Sequence, residues 1–123
     1  MHEVGAAAPA TLSGEDLVHL DFQPANVLVD GAGRLTGIVD WDGAARGDAR
    51  MDLVVLYFGL HSEGGSAATI GWLNDRLHAE LPGDLFRAYS ASLSLRLVDW
   101  AIRHYTAADV DRWLDLAESQ ISA

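Results

Sequence analysis

Four polar side chains stand close together near the front of the chain: His19, Asp21, Asn26 five residues after Asp21, and Asp40. An Asp followed across a loop by an Asn, with a second Asp at the end of a returning strand, is the set that phosphoryl transfer with magnesium needs. One carboxylate orients the attacking hydroxyl and accepts its proton, while a hard amide oxygen and another carboxylate hold the metal on the phosphates. Hard oxygen ligands of this kind favour magnesium over zinc. Asp is also concentrated here: Asp21, Asp30, Asp40, Asp42, Asp48 and Asp52 fall between positions 21 and 52, where there is no Glu.

These side chains need strands and turns to bring them to one edge. Leu17-Val18-His19-Leu20 reads as a short strand, and Asn26-Val27-Leu28-Val29-Asp30 as a second, β-branched and apolar enough to be half-buried. Gly31-Ala32-Gly33-Arg34 is a turn, and Leu35 to Trp41 returns as a third strand, so the pattern predicts a β-hairpin. The glycines at 31, 33 and 37 are spaced GxGxxxG with no helix pattern after them, and are turn residues rather than a phosphate loop. Gly43 to Gly47 reads as a short loop. Asp48 then caps a helix to about Leu60 that is apolar almost all round, the pattern of a buried element.

His61 to Ser66 breaks that helix. A second follows from about Ala67 to Leu81, with Ile70, Leu73 and Leu77 on one face, and Pro82-Gly83 ends it. The third runs from Asp84 to about Tyr105, where Phe86, Tyr89, Leu93, Leu97, Trp100 and His104 recur at three-and-four spacing. Thr106 with Asp109 resembles a capping box and opens a last helix that buries Val110, Trp113, Leu114, Ala117 and Ile121. Trp72, Trp100 and Trp113 occupy core-like helical positions. Trp41 follows Asp40 directly, so lining the pocket and packing in the hairpin are both open to it. The reading is an α+β, mainly helical fold over residues 15–123, a hairpin packed on about four helices, preceded by a flexible lead-in over residues 1–14 that is rich in Ala, Gly and Pro.

Three segments in order carry a family resemblance. His19-Leu20-Asp21-Phe22-Gln23-Pro24-Ala25-Asn26 fits HxDxxxxN, Ile38-Val39-Asp40-Trp41 fits a metal-binding strand, and Gly47-Asp48-Ala49-Arg50-Met51-Asp52-Leu53 fits a GDPxxDL-like helix start. Together they resemble the C-terminal lobe of the aminoglycoside phosphotransferase and choline kinase family, relatives of the protein kinases. The resemblance is specific over residues 17–60 and generic beyond. It implies a protein-kinase-like C-terminal lobe that transfers the γ-phosphoryl of ATP, or another nucleoside triphosphate, to a hydroxyl of a small cationic molecule with Mg2+. It makes Asp21 the catalytic base or hydroxyl-orienting carboxylate, and Asn26 and Asp40 the magnesium ligands. His19 would support the loop, Asp48 and Asp52 would brace it and cap the helix, and Asp42 would lie within reach of the metal or a cationic substrate. The chain departs from the family at Leu20, where Gly is usual, at Phe22-Gln23-Pro24-Ala25, where His-Pro-Gly is common, and at Ala49, where Pro is usual.

Composition narrows the alternatives. The chain has 123 residues, no Cys, and 18 acidic against 8 basic side chains for a net charge of −10. Without Cys there are no disulfides, thiolate nucleophiles or Cys-type zinc sites, and a reducing cytoplasm is the default compartment. The acidity disfavours nucleic acid and anionic membrane surfaces as partners, and no apolar run approaches the roughly 20 residues of a membrane span. Every basic residue is Arg, so the lysine that pairs with the phosphates in the family, and the N-terminal nucleotide lobe that carries it, must come from elsewhere. The chain is therefore expected to be inactive in isolation and to expose a surface for that lobe or for self-association. Arg46 and Arg50 are the arginines nearest the acidic cluster. The competing expectation is a non-catalytic, degenerate module of the same fold that binds a small cationic ligand or a partner protein.

Overall fold

The computed structural model of the chain describes residues 14–122; the lead-in expected over residues 1–14 lies, Gly14 apart, outside them. The described residues fall into two compact units, one up to Leu81 and one from Pro82. Both together are α+β and mainly helical.

The first unit holds β1 (Asp16–Val18), a 3-10 turn (Pro24–Asn26), β2 (Val27–Val29), β3 (Leu35–Ile38), β4 (Ala45–Gly47), α1 (Arg50–Ser62) and α2 (Ala67–Glu80). The hairpin is β2 against β3, antiparallel with Val27 opposite Ile38 and Leu28 opposite Gly37, and an irregularity after Leu28 sets Val29 opposite Leu35. Asp30 builds its turn. One carboxylate oxygen accepts from the backbone N–H of Ala32 and Arg34 at 2.9 and 3.0 Å, the other from Arg34 Nε at 2.8 Å. Gly33 supplies the left-handed residue the turn requires, at φ +77°.

The segment expected as a loop over Gly43–Gly47 contains a strand. β4 pairs antiparallel with β1, Asp16 opposite Gly47 and Val18 opposite Ala45, so the first strand belongs to a sheet of its own and not to the hairpin. Ala-Arg-Gly has no strand propensity; the ladder forms because β1 offers a backbone edge at that place. The approach is tight enough to need glycine, since a Cβ on Gly14 would lie 2.4 Å from the Gly47 carbonyl oxygen.

α1 is the buried helix its composition implied: Met51, Val54, Val55, Tyr57, Phe58 and Gly59 are all buried. The Asp48 side chain accepts from the Arg50 N–H at 3.0 Å and so caps its start. The helix runs two residues into the expected break, through Ser62, and ends where Gly64 turns left-handed at φ +76° and the Gly65 N–H reaches back to the Leu60 carbonyl. Ser66 caps α2 by accepting from the Thr69 N–H, and Leu73 and Leu77 form its buried face. Trp72 is not core: it lies 64% exposed, about 100° round the helix from Leu73.

The second unit is α3 (Gly83–His104) packed on α4 (Ala107–Ser122). Phe86, Tyr89 and Leu93 are buried as the spacing predicts, but the stripe does not continue to Trp100, which is 53% exposed. The buried face continues instead through Ser90, Ser94 and Ala101, small residues that suit close helix packing, and Trp100 stacks on His104 with ring centroids 3.7 Å apart. The capping box is present: Asp109 accepts from the Thr106 N–H and hydroxyl at 3.1 and 2.8 Å. On α4 Ala117 is buried and Val110, Trp113 and Ile121 are half-buried, whereas Leu114 is exposed and Leu116 takes the inward position. No helix among the described residues is long and apolar enough to cross a membrane.

Candidate active site

The loop between β1 and β2 is held from beneath by α1. The Asp52 carboxylate, in the first turn of that helix, accepts from the backbone N–H of His19 at 2.8 Å and of Leu20 at 2.9 Å. A carboxylate with one amide on each oxygen fixes the two peptide planes that lead into Asp21. Leu20 sits there at φ +66°, in the left-handed region that favours glycine. That conformation explains why Gly suits this position. With Leu in place the loop stores strain of about 1–2 kcal/mol.

His19 is 2% exposed and its ring is committed on both nitrogens. Nδ1 accepts from the Asp21 N–H at 3.1 Å, so the hydrogen resides on Nε2, which donates to the Val39 carbonyl at 2.8 Å. The ring thereby ties the loop to the residue before Asp40. Asn26, 8% exposed, makes the second tie, because its carbonyl accepts from the Val39 N–H at 2.9 Å. These bonds bring Asp21, Asn26 and Asp40 to one end of the hairpin.

The Asp21 carboxylate receives two side-chain amides. Asn26 Nδ2 donates to Oδ2 at 3.1 Å, and also to the Asp21 backbone carbonyl at 2.8 Å; Gln23 Nε2 donates to Oδ1 at 3.1 Å. A carboxylate only accepts, so both amides must turn their NH2 groups toward it and their oxygens away. The Asn26 amide oxygen then has no protein partner among the described residues, and neither does the exposed Asp40 carboxylate. Asp40, like Leu20, is left-handed at φ +66°. Trp41 closes the backbone around it by donating its indole N–H to the Ile38 carbonyl at 2.9 Å, while its ring packs on that of His19 with centroids 4.5 Å apart.

The remaining acidic residues separate by role. Asp48 is forked by Arg50, with Nε and Nη2 at 3.0 and 2.7 Å, and Arg50 also reaches the Glu80 carbonyl. Arg46 pairs with Glu15 at 2.6 Å, so neither arginine is aimed at Asp21. Asp42 is exposed two residues beyond Asp40, with no protein partner among the described residues.

No group of three or more His, Asp or Glu side chains among the described residues is gathered to hold a metal. The donor set nonetheless suits magnesium, which is commonly bound by one or two protein oxygens together with substrate phosphates. Asn26 and Asp40 are two side chains with uncommitted hard oxygens on neighbouring backbone.

Two residues at the site carry no motif signal. Gln23 is an ordinary loop residue in sequence, and Gly59 a glycine inside a helix. A Cβ on Gly59 would lie 3.1 Å from both Gln23 Cβ and Pro24 Cδ, so α1 and the loop touch at that point. Only the spatial pairing reveals either.

A model of the phosphotransferase enzyme family matches residues 3–92, which takes in the loop, the hairpin, α1 and α2. No curated protein and no solved structure matches the chain.

Proposed function

The chain belongs to the phosphotransferase enzyme family, and from that premise we propose that it is the C-terminal catalytic lobe of an ATP-dependent small-molecule kinase, protein-kinase-like in fold, over residues 15–123. Its acceptor is a hydroxyl on a small cationic molecule. The observation that carries the reading is the convergence of Asp21, Asn26 and Asp40, tied by the His19 and Asn26 bonds to Val39. Asp21 orients the acceptor hydroxyl and takes its proton as the new P–O bond forms and the bond to the leaving nucleoside diphosphate breaks. Asn26 Oδ1 and Asp40 would hold Mg2+, which when bound neutralises charge on the phosphates. Asp42 extends the acidic rim toward a cationic acceptor, and Asp48 and Asp52 hold the loop and the start of α1. A reducing cytoplasm suits a chain without Cys.

The 123 residues contain no Lys, so the lysine and nucleotide lobe of this reaction come from outside them. Leu28, Val29, Leu35 and Ile38 are exposed on a two-stranded hairpin, an element that rarely stands alone. They suit a covering lobe. The test is reconstitution: the chain is combined with a lysine-bearing N-terminal lobe from a family member and substrate-dependent ADP release is measured across a panel of amino alcohols and aminoglycosides. Release that is abolished by Asp21→Ala and by Asp40→Ala supports the reading. The lack of Lys leaves the chain inactive in isolation equally under a second reading, a non-catalytic module binding a cationic ligand or partner protein; tight ligand binding without turnover in every pairing, or sedimentation as a stable self-associated species that excludes the added lobe, would replace the first reading with this one.

A further inference from the structure

Asn26 and Asp21 are the expected partners at this site; Gln23 is not. From the geometry we infer that Gln23 is a positioning residue for the Asp21 carboxylate, forming with Asn26 a clamp that supplies one amide donor to each oxygen. The inference rests on the proposed phosphotransferase reading for its consequence, and on three independent constraints for its geometry. The Gln23 N–H donates to the Asp21 carbonyl at 2.9 Å, and its own carbonyl accepts from the Asn26 N–H at 3.0 Å, so the backbone of Gln23 is fixed to both neighbours in the clamp. Its Nε2 lies 3.1 Å from Asp21 Oδ1. Its Cβ packs on Gly59 of α1 so closely that a methyl group there would sit at 3.1 Å.

The chemical consequence follows from where the donors lie. Two amides on opposite oxygens stop the carboxylate from rotating about its Cβ–Cγ bond, and each oxygen keeps a second lone pair for the acceptor hydroxyl. With Gln23 removed, Asn26 alone holds the group by one oxygen and the plane is free to turn. Gly59 belongs to the same device. Any side chain at that position displaces Gln23 Cβ or Pro24 and shifts the donor relative to Oδ1.

The test has one arm that needs no turnover. The chain contains two Gln and two Asn, so its side-chain NH2 groups give only four pairs of signals. In the 15N-labelled chain, Asp21→Ala should move the Gln23 and Asn26 pairs and speed their exchange with solvent, leaving Asn74 and Gln120 as internal references. Gly59→Ala should move Gln23 alone or most. In the reconstituted enzyme, Gln23→Leu should lower kcat by roughly 10- to 100-fold with KM for both substrates unchanged, and Gln23→His, which keeps a donor, should recover part of the loss. Gln23 signals indifferent to Asp21→Ala would overturn the inference, as would an unchanged kcat in Gln23→Leu. A wild-type pairing with no turnover would count against the proposed function alone, because the amide spectrum still decides the clamp.

Discussion

Removing the Asp52 carboxylate should cost more stability than removing any other acidic side chain near the site. Asp52→Ala leaves the N–H groups of His19 and Leu20 without their acceptor, at contacts that were 2.8 and 2.9 Å. His19 is buried, so water is poorly placed to substitute. A hydrogen bond to a charged group contributes about 1.5–3 kcal/mol. Two that share one carboxylate are not additive, and the expected loss is about 3–4 kcal/mol, a large part of the roughly 5–15 kcal/mol typical of a domain. Asp52→Asn keeps one acceptor and presents NH2 to the other peptide, and should cost about 2 kcal/mol. Urea unfolding reads this directly: with a slope near 2 kcal/mol/M, the Asp52→Ala midpoint should fall by about 1.5–2 M at unchanged slope. Asp42→Asn is the control, with an expected change within about 0.5 kcal/mol because Asp42 is exposed. A loss under about 1 kcal/mol in Asp52→Ala, or equal losses in Ala and Asn, would refute the idea that this carboxylate holds the loop.

Three further outcomes are expected. Because Leu20 is left-handed at φ +66°, Leu20→Gly should be more stable than Leu20→Ala by about 1 kcal/mol, the reverse of their order in a helix, as measured by the same unfolding assay. The His61 ring packs on Tyr57 at 4.7 Å, and that partial burial lowers its proton affinity although the residue as a whole is exposed. Its unfolded form therefore binds a proton first, so stability should decline as pH falls below about 6.5, and His61→Gln should flatten that part of the pH–stability curve. Hydrogen bonds from Thr106, with Arg112 nearby, lower the Asp109 pKa. The stabilisation is present above about pH 3.8 and lost as pH falls through the folded value, so Asp109→Asn should raise amide exchange at the start of α4 at neutral pH and remove its acid sensitivity.

The elements that positioned Asp21, Asn26 and Asp40 could be read from β-branched runs, a glycine turn and an apolar helix, because each has its own local signal. β4 could not, since Ala-Arg-Gly becomes a strand only when β1 lies beside it. Trp100 leaves its expected core position for a related reason: a large apolar residue at a plausible helical position is inward only if there is room, and on α3 the buried face narrows to Ser90, Ser94 and Ala101. At the site, the polar residue types and their spacing are legible in the sequence, whereas the contacts that orient them are not. Gln23 has no distinctive chemistry until it stands 3.1 Å from a carboxylate, and Gly59 has none until a loop crosses it.

α1 meets the loop at Asp52 and again at Gly59, seven residues or about two turns later and hence on one face of the helix. This double contact sets the size of the piece that could be moved into another protein. The eight residues His19 to Asn26, grafted alone, would arrive without the carboxylate that fixes their peptides and without the glycine that admits Gln23. The smallest transplantable unit runs from β1 through Gly59, and a host helix offered in place of α1 must carry an acid and a glycine seven residues apart.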